Sequence, residues 1–232
     1  MKKKIVSAIL SAALVCSFST SVFASSPIHE TLNKKNDHIL TVKAQNVLKN
    51  VDLSSANLLD SYMTVDAKGL LHLDDAGKKV ISTELFNHVA RGVESINVAV
   101  QAGTVVLDAK NQRVVPTAST SVGTQSIVSP DAFSNTYWWG VAMTMNEDET
   151  KSLAYSLQQV KEGFTAVAIV AAAIGGIMGL NPAPWAASAA AAIVACGAAW
   201  VSNGLTFHNN SKGVTLNIHW LPGPYYEITK NS

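Results

Sequence analysis

Cysteine is nearly absent from this sequence, with two residues in 232. Cys16 falls in an N-terminal segment that we expect to be removed, and Cys196 is then the single thiol of the mature chain. A single thiol excludes an intramolecular disulfide and leaves only an intermolecular one open. Because Cys196 lies in an apolar helical run, we interpret it as a small buried hydrophobe rather than a reactive group.

Patterns that identify common catalytic sites are also missing. The sequence contains no G-x-S-x-G, H-E-x-x-H, P-loop or G-x-G-x-x-G motif, and no two histidines have the i, i+4 spacing of a helical zinc site. His72 with Asp74 and Asp75 is a weak candidate for a cation, because the EF-hand order of acids and glycine is absent. His88 is one turn from Arg91, where we expect a solvated or capping role. We therefore predict a protein that is not an enzyme and binds no metal or cofactor.

Charged side chains are scarce as well, at 14% of the sequence, with 17 basic and 16 acidic residues. Removing Lys2, Lys3 and Lys4 with the N-terminal segment leaves 14 basic side chains against 16 acidic ones. Such a chain lacks the basic face expected of a nucleic-acid-binding protein. It also lacks the cationic surface with which small peptides hold anionic lipid. We predict no nucleic-acid partner.

The N terminus has the three parts of a secretory signal peptide. Lys2–Lys4 are basic, Ile5–Val15 is apolar, and Val22-Phe23-Ala24 places small residues at the −3 and −1 positions. We predict that residues 1–24 are cleaved and that the protein is secreted. An uncleaved anchor is the alternative, although the apolar run is too short to span a bilayer.

Residues 25–115 are predicted to form a small N-terminal α+β domain. Apolar residues at helical spacing alternate here with short apolar runs on either side of turn residues. The predicted elements are a helix over His38–Lys49, strands over Tyr62–Val65 and Leu70–Leu73, a one-faced helix from Thr83, and strands over Val105–Leu107 and Arg113–Val115. Residues 116–136 are rich in Ser and Thr and show no period, so we predict a linker or mobile loop there.

Residues 137–232 are predicted to form a hydrophobic helical-hairpin domain with terminal strands. Asn146 followed by Glu149 resembles a capping box and predicts the start of a helix. The apolar face of that helix is expected to carry Leu153, Leu157, Val160 and Phe164. Trp138, Trp139 and Trp220 are interpreted as an aromatic core under the terminal strands.

A stretch without charge follows this helix, since no Asp, Glu, Lys or Arg occurs between Glu162 and Lys212. We predict two antiparallel apolar helices here, Phe164–Gly179 and Trp185–Ser202. Proline inside a helix removes a hydrogen bond, so Pro182 and Pro184 place the turn at 181–184. Beyond the hairpin, Val214–Trp220 alternates apolar and polar residues as a strand does, and Tyr225–Ile228 is predicted to return beside it.

Two interpretations of the predicted hairpin stay open. Its arms are about 16 and 18 residues long, which is borderline for a membrane span of about 17 to 25 residues, and small residues would let the arms insert as a closely packed pair. An apolar hairpin is equally the centre of a soluble domain. Trp185 at the turn and Trp200 at the base fit interfacial aromatic belts. The candidate residues for membrane insertion are Phe164, Gly175, Gly179, Pro182, Pro184, Trp185 and Trp200.

The order of these features and two short stretches carry a resemblance to a known group. With "TYWWG" before the capped helix and "GVTLNIHWLPGPYYEI" at the terminal strands, the chain resembles secreted proteins of Bacillus-like bacteria that carry an Ala/Gly-rich helical hairpin. That group is similar to some large unmodified bacteriocins. The resemblance implies antibacterial action and transfers no functional residue.

Together these features predict an α+β chain in which a small N-terminal α/β unit precedes a hydrophobic helical hairpin packed with a C-terminal β-hairpin. The expected function is a secreted, bacteriocin-like protein that acts at the membrane of related bacteria. Its expected partners are the target-cell membrane or a membrane protein, together with an immunity protein in the producer. The alternative is a secreted, non-catalytic binding or structural module of the cell surface.

Overall fold

The structure, a computed structural model, describes residues 52–117, 127–128, 133–137, 139–179 and 182–232. The predicted signal peptide and the predicted helix His38–Lys49 lie outside these ranges, as do Trp138, Asn181 and most of the predicted linker. The parts of the linker region that are described include strands β5 (Ile127–Val128) and β6 (Phe133–Tyr137).

The predicted strands and helix of the N-terminal part are confirmed. A 3-10 helix, Ala56–Tyr62, leads into the antiparallel strands β1 (Met63–Val65) and β2 (Leu71–Leu73). A second 3-10 helix, Asp75–Lys79, precedes helix α1 (Thr83–Gln101) and the antiparallel strands β3 (Val105–Asp108) and β4 (Arg113–Pro116). Helix α1 begins where the Ser82 hydroxyl accepts a hydrogen bond from the Leu85 amide, the usual N-cap arrangement.

The capping box predicted at Asn146 is present at the start of helix α2 (Glu147–Gln159). The Asn146 side chain accepts from the Glu149 amide, and the Glu149 carboxylate accepts from the Asn146 amide. The prediction that Val160 and Phe164 continue the face of this helix is wrong. The chain is extended at Val160, and Gly163 has a φ of +89°, so a new helix starts there in another direction.

Three further helices follow: α3 (Gly163–Ile177), α4 (Pro184–Cys196) and α5 (Ala198–His208). The predicted C-terminal strand pair is confirmed as β8 (Val214–His219) and β9 (Tyr225–Lys230). With β7 (Gly140–Met145) these strands form an antiparallel sheet in the order β5-β6-β7-β8-β9. Because side chains alternate across a strand, Val214, Leu216 and Ile218 of β8 point to the buried face.

The fold is α+β, and its apolar helices α3 and α4 lie at the centre of the described residues. Helix α1 packs against both of them, α2 packs against α3, and the inward face of the five-stranded sheet packs against α4. One hydrophobic core therefore runs through both predicted domains, and the described residues belong to one compact unit. The change of composition near residue 116 marks the end of a strand pair that covers α4 rather than a boundary between cores.

Candidate functional site: a sheltered apolar helix pair

Helices α3 and α4, called the apolar helix pair below, contain no charged residue and are buried along almost their whole length. Their sequences, GFTAVAIVAAAIGGI and PWAASAAAAIVAC, are dominated by alanine and β-branched residues. Each helix satisfies its backbone hydrogen bonds internally, so a helix of this composition tolerates an apolar environment of any kind. Alanine faces let neighbouring helices approach closely, which is how both members of the pair fit into one core.

The connection between the two helices runs from 178 to 183, close to the turn predicted at 181–184, and residues 180 and 181 within it lie outside the described ranges. Helix α3 ends at Ile177, and Gly179 follows with a φ of +68°, a left-handed conformation typical of a helix C-terminus. Helix α4 starts with Pro184 at its first position, where the missing N–H costs no hydrogen bond. Pro182 is exposed between them.

Helix α1 covers the pair on one side through an unusually close approach at Gly92. A Cβ atom at that position would collide with the backbone carbonyl of Ala168 in α3. Only glycine therefore lets the two backbones lie at this distance. The contact brings α1 against the middle of α3 and leaves no room there for a side chain or for water.

His88 lies one turn before this crossing and is buried rather than solvated or capping, so the sequence prediction for it is wrong. Its Nε2 is 3.2 Å from the carbonyl oxygen of Ile169 in α3, and its Nδ1 is 3.4 Å from Nη2 of Arg91. Both contacts fit one neutral tautomer, in which Nε2–H donates to Ile169 and Nδ1 accepts from Arg91. Burial, assisted by the charge of Arg91, lowers the pKa of His88 to about 4, so the ring is neutral at pH 7.

Other elements hold the pair from different sides. The Ser202 hydroxyl of α5 donates to the Ala154 carbonyl of α2 over 2.7 Å, which fixes α5 against α2 at the edge of the pair. Thr165 of α3 contacts the sulfur of Met63 in β1 at 3.6 Å. Polar contacts therefore reach α3 at Thr165 and Ile169, whereas most of the pair is surrounded by apolar side chains.

The prediction of one continuous second arm, Trp185–Ser202, is wrong. The chain breaks at Gly197, whose φ of +90° is open to glycine and rarely to other residues, and α4 and α5 are bent by 96°. Among the described residues, no single helix is long and apolar enough to cross a membrane. Taken together, α4 and α5 are long and apolar enough for a span by length and composition alone, although they are bent.

The predicted insertion residues lie in three places: the core, the turn and helix α5. Phe164, Gly175 and Trp185 are buried in the shared core. Gly179 and Pro182 lie at the exposed turn, and Pro184 is half-buried. Trp200 is not at the base of a hairpin arm but on α5, with 72% of its surface exposed.

Four stacked rings on the sheet form a feature that the sequence analysis missed, called the aromatic row below. Tyr137 stacks on Trp139 with ring centroids 4.6 Å apart, Trp139 on His219 at 4.2 Å, and His219 on Tyr225 at 3.8 Å. Strand register creates the row, because Tyr137 lies opposite Gly140, Gly140 opposite His219, and His219 opposite Tyr225. Gly140 has no side chain, and the ring of Trp139 fills its place in the row.

The aromatic row lies on the side of the sheet that faces away from the helices. The neighbouring register row on that side consists of Asn135, Ala142, Asn217 and Glu227, which are half-buried or exposed. Burial lowers the pKa of His219, and the nearby Glu227 carboxylate opposes that shift. The result is a largely neutral surface of rings and amides. Of the tryptophans predicted as core, Trp220 is buried, and Trp139 instead stands half-buried in this row.

The structure brings no reactive cluster together in the part of the chain that it describes. His72 pairs with Asp66 at 3.0 Å, not with the acids predicted for a cation, and Asp74 caps a 3-10 helix. No group of three or more His, Cys, Asp or Glu residues with metal-binding geometry occurs among the described residues. Cys196 is half-buried rather than buried, and burial raises the pKa of its thiol, which keeps the thiol protonated at neutral pH.

Comparison with known proteins gives no relative: no family model, no curated protein and no solved structure matches the chain. Function has to be inferred from the apolar helix pair and the aromatic row.

Proposed function

We propose that this chain is a secreted, bacteriocin-like antibacterial protein that acts at the membrane of related bacteria through the apolar helix pair. The observation that carries the proposal is the pair itself, two charge-free helices sheltered by α1, α2 and the sheet. A bilayer admits backbone only when its hydrogen bonds are satisfied internally and excludes unpaired charge, and the pair meets both conditions. Its shelter keeps the protein in solution until it reaches a target.

Insertion of the pair is marginal, which suits a protein that is exported before it acts. Phe, Ile and Val side chains each contribute about −0.3 to −0.6 kcal/mol at the centre of a span, so α3 gains on the order of −2 to −4 kcal/mol before its glycines are counted. Helix α4 relies mostly on alanine and is a poor span alone. Close packing of the two helices supports insertion as a pair.

The partners implied by this function are the target-cell membrane or a membrane protein in it. A producing cell also needs protection from its own product, for which a small membrane-bound immunity protein is the expected partner.

The test adds purified mature protein to related bacteria and records growth and membrane potential together. Ala195 allows a clean variant because it belongs to α4 yet is exposed, and it lies near the middle of the combined stretch of α4 and α5. Ala195→Lys should leave the folded protein intact, and it places a charge near the centre of the span that α4 and α5 would form together, which costs about 2.5 to 3.5 kcal/mol at a bilayer centre. We expect loss of depolarisation and killing at unchanged melting temperature.

Ala102→Lys is the matched control, since Ala102 is another exposed alanine next to a helix C-terminus, outside the pair. It should kill as the natural protein does. Full killing by Ala195→Lys would contradict a membrane span that runs through α4 into α5.

The aromatic row favours a second candidate, a secreted module that binds the cell surface without catalysis. Rings and amides on a largely uncharged sheet face are suited to neutral polymers such as wall glycans. Retention of the protein on isolated cell walls, reduced in Trp139→Ala, together with intact target membranes, would favour this candidate over the first.

A further inference from the structure

Helix α5 has two faces of opposite character. Ala198, Val201, Ser202 and Leu205 are buried and recur at the i, i+3, i+4, i+7 spacing of a packed face. The opposite face carries Trp200 and Phe207, with Asn203 between them, and the whole helix contains no Asp, Glu, Lys or Arg. The outer face of α5 is thus aromatic and uncharged.

Trp200 and Phe207 are 72% and 79% exposed, the highest values for large apolar side chains among the described residues. They are seven residues apart, which places them on one side of the helix about 10 Å from each other. Their direction is nearly opposite to the buried face, so both rings project outward. Two large aromatic rings exposed to solvent on one face of a helix are typical of an interaction site.

Neighbouring contacts hold helix α5 in position under these rings. The Tyr226 hydroxyl is 3.3 Å from the Trp200 carbonyl oxygen, and Phe207 packs edge-on against His208. The side chains of Ile228 and Tyr226 pack against Gly204, which lies between Trp200 and Phe207 along the helix. The sheet therefore supports α5 from the side and leaves the ends of both rings free.

We propose that Trp200 and Phe207 form a docking surface that inserts into the boundary between headgroups and acyl chains of a lipid bilayer. The proposal rests on the membrane function proposed above and names the part that makes first contact. Tryptophan and phenylalanine on the apolar face of a surface helix are the side chains that enter this boundary. Helix α5 is also continuous with α4 through Gly197, so docking of α5 places the apolar helix pair beside the bilayer.

The missing charge determines which lipids are bound. Most interfacial helices add Lys or Arg and therefore need anionic lipid. Because α5 has neither, its docking depends on apolar contact alone and is independent of anionic lipid and of salt.

Flotation of the purified mature protein with vesicles tests the proposal. We expect the natural protein to bind vesicles of pure phosphatidylcholine, and to bind equally when phosphatidylglycerol is added or the salt is raised. The double variant Trp200→Ala, Phe207→Ala should lose about tenfold or more in partitioning, since it removes both inserted rings. The control Leu58→Ala, Val106→Ala removes two other exposed apolar side chains, at 54% and 52% exposure, and should bind normally.

Equal partitioning of the two double variants would overturn the docking surface. So would a homodimer of the natural protein that dissociates in Trp200→Ala, Phe207→Ala and does not bind vesicles, because a second copy would then be the occupant. Killing reports on the proposed function separately. Killing without vesicle binding contradicts only the docking surface, whereas vesicle binding without killing contradicts only the antibacterial function.

Discussion

His88 joins α1 to the middle of α3, with its Nε2–H directed at the Ile169 carbonyl and Arg91 on its other nitrogen. Protonation would place a second positive charge beside Arg91 in a buried site. Helix α3 offers no carboxylate that could compensate, because the whole of it is uncharged. The packing of α1 against α3 at this point therefore depends on a neutral imidazole.

This arrangement predicts that stability depends on pH through His88. The pKa is about 4 in the folded chain, below the 6.5 of the unfolded chain, so the unfolded state binds more protons between these values. The contribution of His88 is complete above pH 6.5 and is lost as the pH falls towards 4, by about 3 kcal/mol in all.

Urea unfolding at pH 7 and pH 4.5 measures the effect, with His88→Gln as the reference because glutamine keeps a donor for Ile169 without titrating. The natural protein should lose more stability than His88→Gln on acidification. Equal losses in the two proteins would contradict the burial of a neutral ring at this position.

Most elements were predictable because each follows from a local pattern. Asn146 and Glu149 are three residues apart, which indicates a capped helix, and the alternation in Val214–His219 indicates a two-faced strand. The bend at Gly197 could not be predicted, because the residues before and after it are equally apolar and glycine occurs elsewhere in the same stretch. The packing of α5 against α2 and against the sheet turns that glycine into a corner.

The site was predictable in composition and not in arrangement. The absence of charge indicated an apolar helix pair, and the structure places Phe164 and Trp185 in its core. The burial of His88 depends on the close approach of Gly92 to Ala168, two residues far apart in sequence. The aromatic row likewise requires a strand register that joins Tyr137, His219 and Tyr225 across the sheet.

The corner between α4 and α5 gives a prediction for Gly197→Ala. Alanine at a φ of +90° is strained, so the variant should lose roughly 1 to 3 kcal/mol of unfolding free energy. Denaturant unfolding measures this loss, with Ala199→Ser at an exposed position two residues later as the control. A Gly197→Ala protein as stable as the control would show that the corner is not held in the left-handed region.

For the whole molecule, the arrangement is that of an apolar pair enclosed by elements that each have a polar outer side. In the part of the chain that the structure describes, most charged residues of α1, α2 and the sheet lie outward, Glu149 of the capping box is buried, and α5 presents its rings at the edge. Docking at α5 and opening of α1 would together transfer the pair from the protein core to a bilayer. The same enclosure is also expected for a core that never opens. A membrane-active protein differs from such a core only in that the apolar helix pair moves out of the protein interior.

A disulfide that locks the pair distinguishes these cases most directly. One cysteine is placed on α1 and one on the facing side of α3, at a pair of positions with Cβ atoms about 3.5 to 4.5 Å apart, in a chain that carries Cys196→Ser. Membrane depolarisation of target bacteria is then followed with the oxidised and the reduced forms of the same protein. The oxidised form should leave the membrane potential intact, and reduction should restore full depolarisation. Full depolarisation by the oxidised protein would contradict release of the apolar helix pair.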